Sequence, residues 1–193
     1  MFNFHDQFKH LIMNIDHYEL RLLKPDDLHA YFKMVDKNRK RLEQFFTGTV
    51  SRTQTLEATA EFLKEIEQRI EARTYFPFVV LNKQTQALEG FFDIKNIDWS
   101  IPKAEVGCYV DEDSAGRGLT SKLAVQFCRY CYTEYQFKKL FIRTHHTNIA
   151  AKRLAEKCGF TLEGTLRSDY RTTAGELVDL LYYGKLRSEE NID

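Results

Sequence analysis

The stretch that decides the fold runs from residue 104 to residue 134 and reads AEVGCYV (104–110), DEDSAGRGLT (111–120) and SKLAVQFCRYCYTE (121–134). Its pattern is an apolar strand, a tight loop with two glycines, and a helix. Gly116 and Gly118 remove side chains where the helix begins, so bare backbone N–H groups lie at the positive end of the helix dipole. Such a loop is suited to receive an anion. The stretch therefore predicts a phosphate cradle, with a plain structural turn as the alternative.

Two common phosphate-binding loops do not fit this stretch. A P-loop has Lys followed by Ser or Thr after its last glycine, whereas Gly118 is followed by Leu119 and Thr120. The dinucleotide fingerprint G-x-G-x-x-G requires a third glycine where this chain has Ser121. A nucleotide-binding protein is disfavoured, and a cradle for another kind of diphosphate remains.

The same stretch carries a family resemblance, together with two segments after it. These are Asn148-Ile-Ala-Ala-Lys-Arg-Leu154 and Lys157-Cys-Gly-Phe-Thr-Leu-Glu-Gly164. With AEVGCYV and AGRGLT they resemble the GNAT superfamily of acetyl-CoA-dependent N-acetyltransferases, and within it the RimJ/RimL-like branch that acetylates ribosomal-protein N-termini and other amines. The resemblance is strong over residues 87–186 and looser before them.

The resemblance implies a mixed α/β fold, with helices on both faces of a splayed, mostly antiparallel sheet. It implies acetyl-CoA as co-substrate, a primary amine on a protein N-terminus or a small molecule as acceptor, and no metal. In such enzymes the pantetheine arm of the coenzyme pairs with a free strand edge. The residues implied to bind the coenzyme are Cys108, Tyr109, Val110, Ala115, Gly116, Arg117, Gly118, Leu119, Thr120, Ser121, Asn148 and Lys152.

The chain departs from the family pattern at the loop and at the leaving group. Ala115 stands where the family usually has Gln or Arg. Thr120 stands where the family usually has Gly or Ala. Many branch members have Ser three residues after the Asn, facing the departing thiolate, and this chain has Ala151. The second departure leaves open the alternative that this chain is a degenerate member of the family, which binds coenzyme A or a regulatory partner without turnover.

Direct acetyl transfer needs a neutral amine, a donor to the carbonyl oxygen as it gains charge, and release of the thiolate. Glu105 is the first candidate for the base, because it lies on the strand beside the acyl group. The alternative is that Glu105 is only an ion-pair partner. The backbone N–H near Tyr109 or Val110 is the candidate oxyanion donor, so Glu105 and Tyr109 are the predicted catalytic positions. Asp93, Asp98 and Tyr170 are lesser candidates for the base.

Composition restricts the possible partners. The chain has 193 residues, 43% hydrophobic, with 28 basic and 28 acidic side chains. This length suits one domain, residues 1–193, and the balanced charge gives no bulk attraction to nucleic acid or a membrane. The N-terminus does not read as a signal peptide, and no run is long enough for a membrane helix. We expect a cytoplasmic protein; relatives suggest a homodimer, but the sequence leaves the oligomeric state open.

Cysteine spacing offers one competing interpretation. Cys128 and Cys131 form a C-x-x-C, but no second pair follows, and His145-His146 is the nearest source of further ligands. Buried apolar thiols are the favoured interpretation over a zinc site.

The hydrophobic periodicity predicts the element order β-α-α-β-β-β-α-β-α-β-β, in which a short helical piece around residues 42–46 is not counted separately. Phe45 and Phe46 are interpreted as core residues, with an amine pocket as the alternative. Asn148 suits a helix N-cap as well as a coenzyme contact. Strands are predicted at residues 17–23, 75–81, 87–94, 104–110, 139–143, 160–171 and 177–186, and helices from Pro25, around 42–46, at 56–72, at 118–134, and from Asn148 to Gly159.

Overall fold

The computed structural model describes residues 12–190, which form one eight-stranded sheet and five α-helices. The strands are β1 (Ile12–Ile15), β2 (Tyr18–Leu22), β3 (Phe76–Asn82), β4 (Leu88–Asp98), β5 (Lys103–Val110), β6 (Lys139–His145), β7 (Thr161–Arg171) and β8 (Leu177–Leu186). The helices are α1 (Leu28–Leu42), α2 (Thr47–Arg52), α3 (Leu56–Glu71), α4 (Leu119–Thr133) and α5 (Ile149–Lys157).

The strands lie in the order β1-β2-β3-β4-β5-β6-β8-β7, and every neighbouring pair is antiparallel except β5 and β6. Because β4 and β5 alternate apolar side chains toward both faces, helices cover the sheet on both sides. One hydrophobic cluster joins α1 and α3 to Val79, Phe91 and Tyr109. The other joins α4 to Phe92 and Val106. The predicted mixed sheet with helices on both faces is confirmed.

The parallel pair β5–β6 is short, and this decides where the site lies. Their registered pairs run only from Lys103 opposite Lys139 to Glu105 opposite Phe141. Beyond that point β6 continues to pair with β8 as far as His145, while residues 106–110 of β5 pair only with β4. The sheet therefore splays after Glu105, as the resemblance implied.

Local sequence explains the helices that border this opening. Thr55 caps α3, since its side-chain oxygen accepts from the Ala58 amide at 3.1 Å. Asn148 caps α5 in the same way, and Gly159 ends it with φ at +79°.

Three details differ from the sequence prediction. The strand β1 was missed, and β4 extends to Asp98 instead of ending at Ile94. The predicted helix around residues 42–46 is wrong, because Leu42 ends α1 and the next helix is Thr47–Arg52, in a Thr/Ser-rich segment where no helix is predicted. The signal-peptide expectation mainly concerns residues 1–11, outside the described residues. No helix within 12–190 is long and apolar enough to cross a membrane.

Candidate active site

The loop before α4 has the geometry of an anion cradle. Gly116 and Gly118 both have φ at +78°, a left-handed conformation that favours glycine, and Gly118 is the N-cap of α4. A β-carbon added at either glycine would meet no heavy atom within 4 Å. The space that side chains would fill is thus open above the first amides of a 15-residue helix. Arg117 between the glycines is exposed, so a cation flanks the cradle.

The opened edge of β5 leads into this loop. The Asp111 amide donates to the Glu89 carbonyl on the β4 side at 2.8 Å. Because backbone groups alternate along a strand, the amides of Cys108 and Val110 point to the opposite, open edge. The Tyr109 amide points to β4 instead. Of the two amides named from the sequence as oxyanion donors, Val110 points to the open edge but is not among the cleft residues, whereas Cys108 has both properties.

Helix α1 holds the junction between β5 and the loop, which the sequence analysis missed. The Asn38 side chain is 1% exposed and donates to the Asp111 carboxylate at 3.0 Å. Its oxygen accepts from the Glu112 amide at 3.0 Å and from the Arg41 guanidinium at 2.8 Å. Arg41 also donates to the Val110 carbonyl. One buried amide side chain therefore fixes the exit of β5 against α1.

Replacing Asn38 with alanine should lower the free energy of unfolding by about 2–3 kcal/mol, because it removes one hydrogen bond from the buried Asp111 carboxylate and leaves the Glu112 backbone amide without its partner. Urea denaturation measures this loss. Asn14→Ala is the control, since Asn14 is exposed on β1 and its contact is with Lys83 at the surface. We also expect a higher KM for acetyl-CoA in Asn38→Ala. An equal and small loss in both variants would contradict the anchoring role.

A cleft of about 650 Å³ opens where β5 and β6 separate. Its floor is formed by β5 residues 105–108 and by β6, and α5 borders it through Asn148 and Ala151. Aromatic side chains form the other end, and they are Phe45, Phe46, Phe62, Tyr75, Phe91 and Tyr170. Phe45 and Phe46 therefore line the cleft, as the amine-pocket alternative expects, and Phe46 also packs against the hydrophobic cluster of α1 and α3, as the core interpretation expects.

Glu105 lies at the branch point of the two strands and is 5% exposed. Its Oε2 accepts from Arg143 Nε at 2.8 Å and from Asn96 Nδ2 at 2.7 Å. Arg143 also pairs with Asp169 on β7 at 2.5 Å. Glu105 therefore lines the cleft, where a base would lie, and it is also an ion-pair partner.

A second buried carboxylate lies beside it. Asp93 accepts from Lys95 Nζ at 2.9 Å and from the Tyr75 hydroxyl at 3.3 Å. Burial alone would lower the pKa of Lys95, but the Asp93 and Glu105 carboxylates outweigh it and raise that pKa above its ordinary value. The pair needs Gly107, where a β-carbon would lie 2.5 Å from the Asp93 oxygen. Asp93 is therefore held by a charged lysine.

The other residues that the sequence predicted as catalytic candidates lie in different places around the cleft or outside it. The Tyr170 hydroxyl accepts from the Thr47 amide at 2.8 Å, which joins β7 to α2 over the cleft. Asp98 accepts from Ser100 in the turn after β4 and is not among the cleft residues. The Tyr109 side chain packs in the α1–α3 cluster, 5.1 Å from the ring of Phe46.

The remaining predicted coenzyme residues lie around the opened edge. Ala115 to Ser121 form the loop and the first turn of α4, including Leu119 and Thr120. Lys152 is half-buried on α5, one turn after Asn148. The Asn148 side chain accepts from the Ala151 amide at 3.1 Å, so the N-cap interpretation is confirmed.

The four cysteines are free thiols. Burial raises the pKa of Cys108, the one that lines the cleft, to about 12, so its thiol is protonated near neutral pH and is a weak nucleophile. Cys128 and Cys131 are buried in the α4 core. Within residues 12–190, no group of three or more His, Cys, Asp or Glu side chains could hold a metal ion.

Comparison with known proteins is consistent with this arrangement. The chain is 25% identical over 180 residues to the "Putative ribosomal N-acetyltransferase YdaF" of Bacillus subtilis, covering 90% of this chain and 93% of that protein. The ribosomal-protein-S5-alanine acetyltransferase of Vibrio fischeri has a similar structure, with a TM-score of 0.83, 18% identity, and 93% and 98% of the two chains covered. RimJ of Mycobacterium smegmatis, solved with a coenzyme A disulfide, gives 0.81 at 18% identity, over 90% and 84%.

The family model that matches is the acetyltransferase (GNAT) domain, over residues 17–161. That match covers the opened strand, the glycine loop and the capped helix α5. The chain belongs to the GNAT acetyltransferase family.

Proposed function

We propose that this acetyl-CoA-dependent N-acetyltransferase acetylates the N-terminal amine of a protein, within a single domain of residues 1–193 and in the cytoplasm. The observation that carries the proposal is the opened edge of β5, which leads from the glycine loop to a cleft with a buried carboxylate. The relatives named for ribosomal proteins support a protein acceptor.

In this proposal the diphosphate of acetyl-CoA binds the amides of residues 116–121, helped by Arg117 and Lys152. Bare amides and the positive end of α4 favour two negative charges there. The pantetheine arm lies along the open edge of β5, where the main-chain groups of Cys108 and the amide of Val110 can pair with it as a neighbouring strand would. Asn148 lies on the far side of the arm.

The acceptor amine attacks the thioester carbon directly. A C–N bond forms, the carbonyl oxygen gains charge, and the Cys108 amide, which is on the open edge and lines the cleft, donates a hydrogen bond to that oxygen. The C–S bond then breaks. Glu105 takes the proton that the amine loses, directly or through water. With Ala151 where a serine is usual, the departing thiolate takes its proton from solvent.

Thiol release from acetyl-CoA tests the function. We expect release with peptides that have a free N-terminal Ser or Ala, and none with the same peptides already acetylated. Mass spectrometry should place the acetyl group on the α-amine. Release only with free amino acids, polyamines or antibiotic amines would replace the protein acceptor by a small molecule.

The alternative from another class is a coenzyme-binding module without turnover, and Ala151 is the residue that favours it. Calorimetry separates the two. Tight binding of coenzyme A together with no thiol release on any acceptor would support the module, and turnover with any amine would exclude it.

A further inference from the structure

The charged side chains that line the cleft are nearly all paired. Lys95 pairs with Asp93 at 2.9 Å, and Arg143 pairs with Glu105 at 2.8 Å. Arg52 pairs with Glu65 on α3. Arg69 differs, because no carboxylate of the described residues lies within ion-pair distance of its guanidinium.

Arg69 is held in a fixed position. It lies in the last turn of α3, half-buried, and its guanidinium carbon is 4.2 Å from the centre of the Tyr75 ring. The hydroxyl of the same ring donates to Asp93 in the cleft. A cation over an aromatic face keeps its orientation, and the planar guanidinium can still donate several hydrogen bonds at its rim. Arg69 is therefore a pre-oriented cation about one tyrosine ring away from the buried carboxylates.

The acidic side chain on the other side of the cleft does not neutralise the charge of Arg69. Glu176 lies in the turn between β7 and β8, where it is exposed. Solvent and salt screen an exposed charge strongly and a half-buried one much less. The acceptor end thus presents a net attraction for an anion.

From these contacts we propose that the acceptor carries an anionic group, which binds Arg69 while the amine faces Glu105. The inference rests on the proposed function and narrows its substrate class to N-termini with an acidic side chain in the first few residues. The chemistry is a carboxylate received by a guanidinium fork. A polycationic amine is disfavoured, because Arg69 would repel it.

The test uses two peptides of equal length that begin Ser-Asp-Glu and Ser-Asn-Gln. We expect the intact enzyme to have a kcat/KM about tenfold higher for the acidic peptide, which is the size of one charge-assisted hydrogen bond. Arg69→Gln should remove this preference, mainly through KM, and leave the neutral peptide nearly unaffected. Arg69→Glu should reverse it. The same kcat/KM comparison between a small amine with a carboxylate and its neutral amide shows whether the preference for an anion extends to a free compound or is limited to a peptide acceptor.

Arg73→Gln is the matched control. Arg73 also stacks on an aromatic ring, with its guanidinium carbon 4.1 Å from the Trp99 ring, but it does not line the cleft. The acidic-to-neutral ratio should stay the same in this variant. An intact enzyme without preference, or an equal loss for both peptides in Arg69→Gln, would overturn the inference.

Calorimetry of both peptides with the coenzyme A complex keeps the inference separate from the proposed function. Preferential binding of the acidic peptide, lost in Arg69→Gln, supports the inference even where no thiol is released. Equal binding of the two peptides overturns it even where turnover is seen.

Discussion

Replacing Glu105 with glutamine should lower kcat by about 10²-fold or more and flatten the rise of the rate with pH. The amide keeps the size of the side chain and can still meet Arg143 and Asn96, but it cannot take a proton from the amine. Steady-state rates from pH 5.5 to 9, at saturating acetyl-CoA, measure both effects. An unchanged pH profile would remove Glu105 from the role of base.

The control for this experiment is Asp169→Asn. Asp169 is the other carboxylate on Arg143, and its loss loosens the same guanidinium without touching Glu105. We expect the pH profile of Asp169→Asn to keep its shape and kcat to fall much less. A loss as large as that of Glu105→Gln would mean that Glu105 acts by holding Arg143 across the branch point of β5 and β6.

Gly118→Val should raise the Kd for coenzyme A by about tenfold or more. The new side chain enters the open space above the first amides of α4, where the diphosphate is proposed to bind. It also places a β-branched residue at φ +78°, which costs about 1–2 kcal/mol of stability. Isothermal titration gives the affinity, and thermal unfolding gives the stability cost.

Gly175→Val separates these two consequences. Gly175 has φ at +86° in the turn between β7 and β8, and a β-carbon there also meets no heavy atom within 4 Å. It should therefore lose a similar amount of stability and bind coenzyme A normally. If both variants bind equally well, the loop of residues 116–121 does not hold the diphosphate.

Most helices and strands could be predicted because their signals are local. The period of α3, the N-cap at Asn148 and the C-terminal glycine at Gly159 all lie within one element and its ends. The short helix Thr47–Arg52 could not, since β-branched and small polar residues favour turns in isolation and tertiary contacts override that preference. Its first amide is held by Tyr170, which is 123 residues away.

The same distinction between local and long-range signals applies to the residues of the candidate site. The glycine loop and the carboxylate at Glu105 were recognisable from residue types beside a strand. The anchoring by Asn38 and the stacked cation Arg69 were not, because their partners are chosen by how α1 and α3 pack on the sheet. An asparagine or arginine on a helix face most often points to solvent, and the sequence carries no signal against that.

The sequence by itself determined the strand–loop–helix of residues 104–134, the family resemblance and the two-faced sheet, since these depend on periodicity and on glycines at helix ends. Only the tertiary structure decided which charges meet. Glu105 is paired with Arg143 across two strands, and Arg69 has no carboxylate of residues 12–190 within ion-pair distance, because strand order and helix packing bring distant residues together or keep them apart. Long-range contacts select charge partners, and no local pattern encodes them.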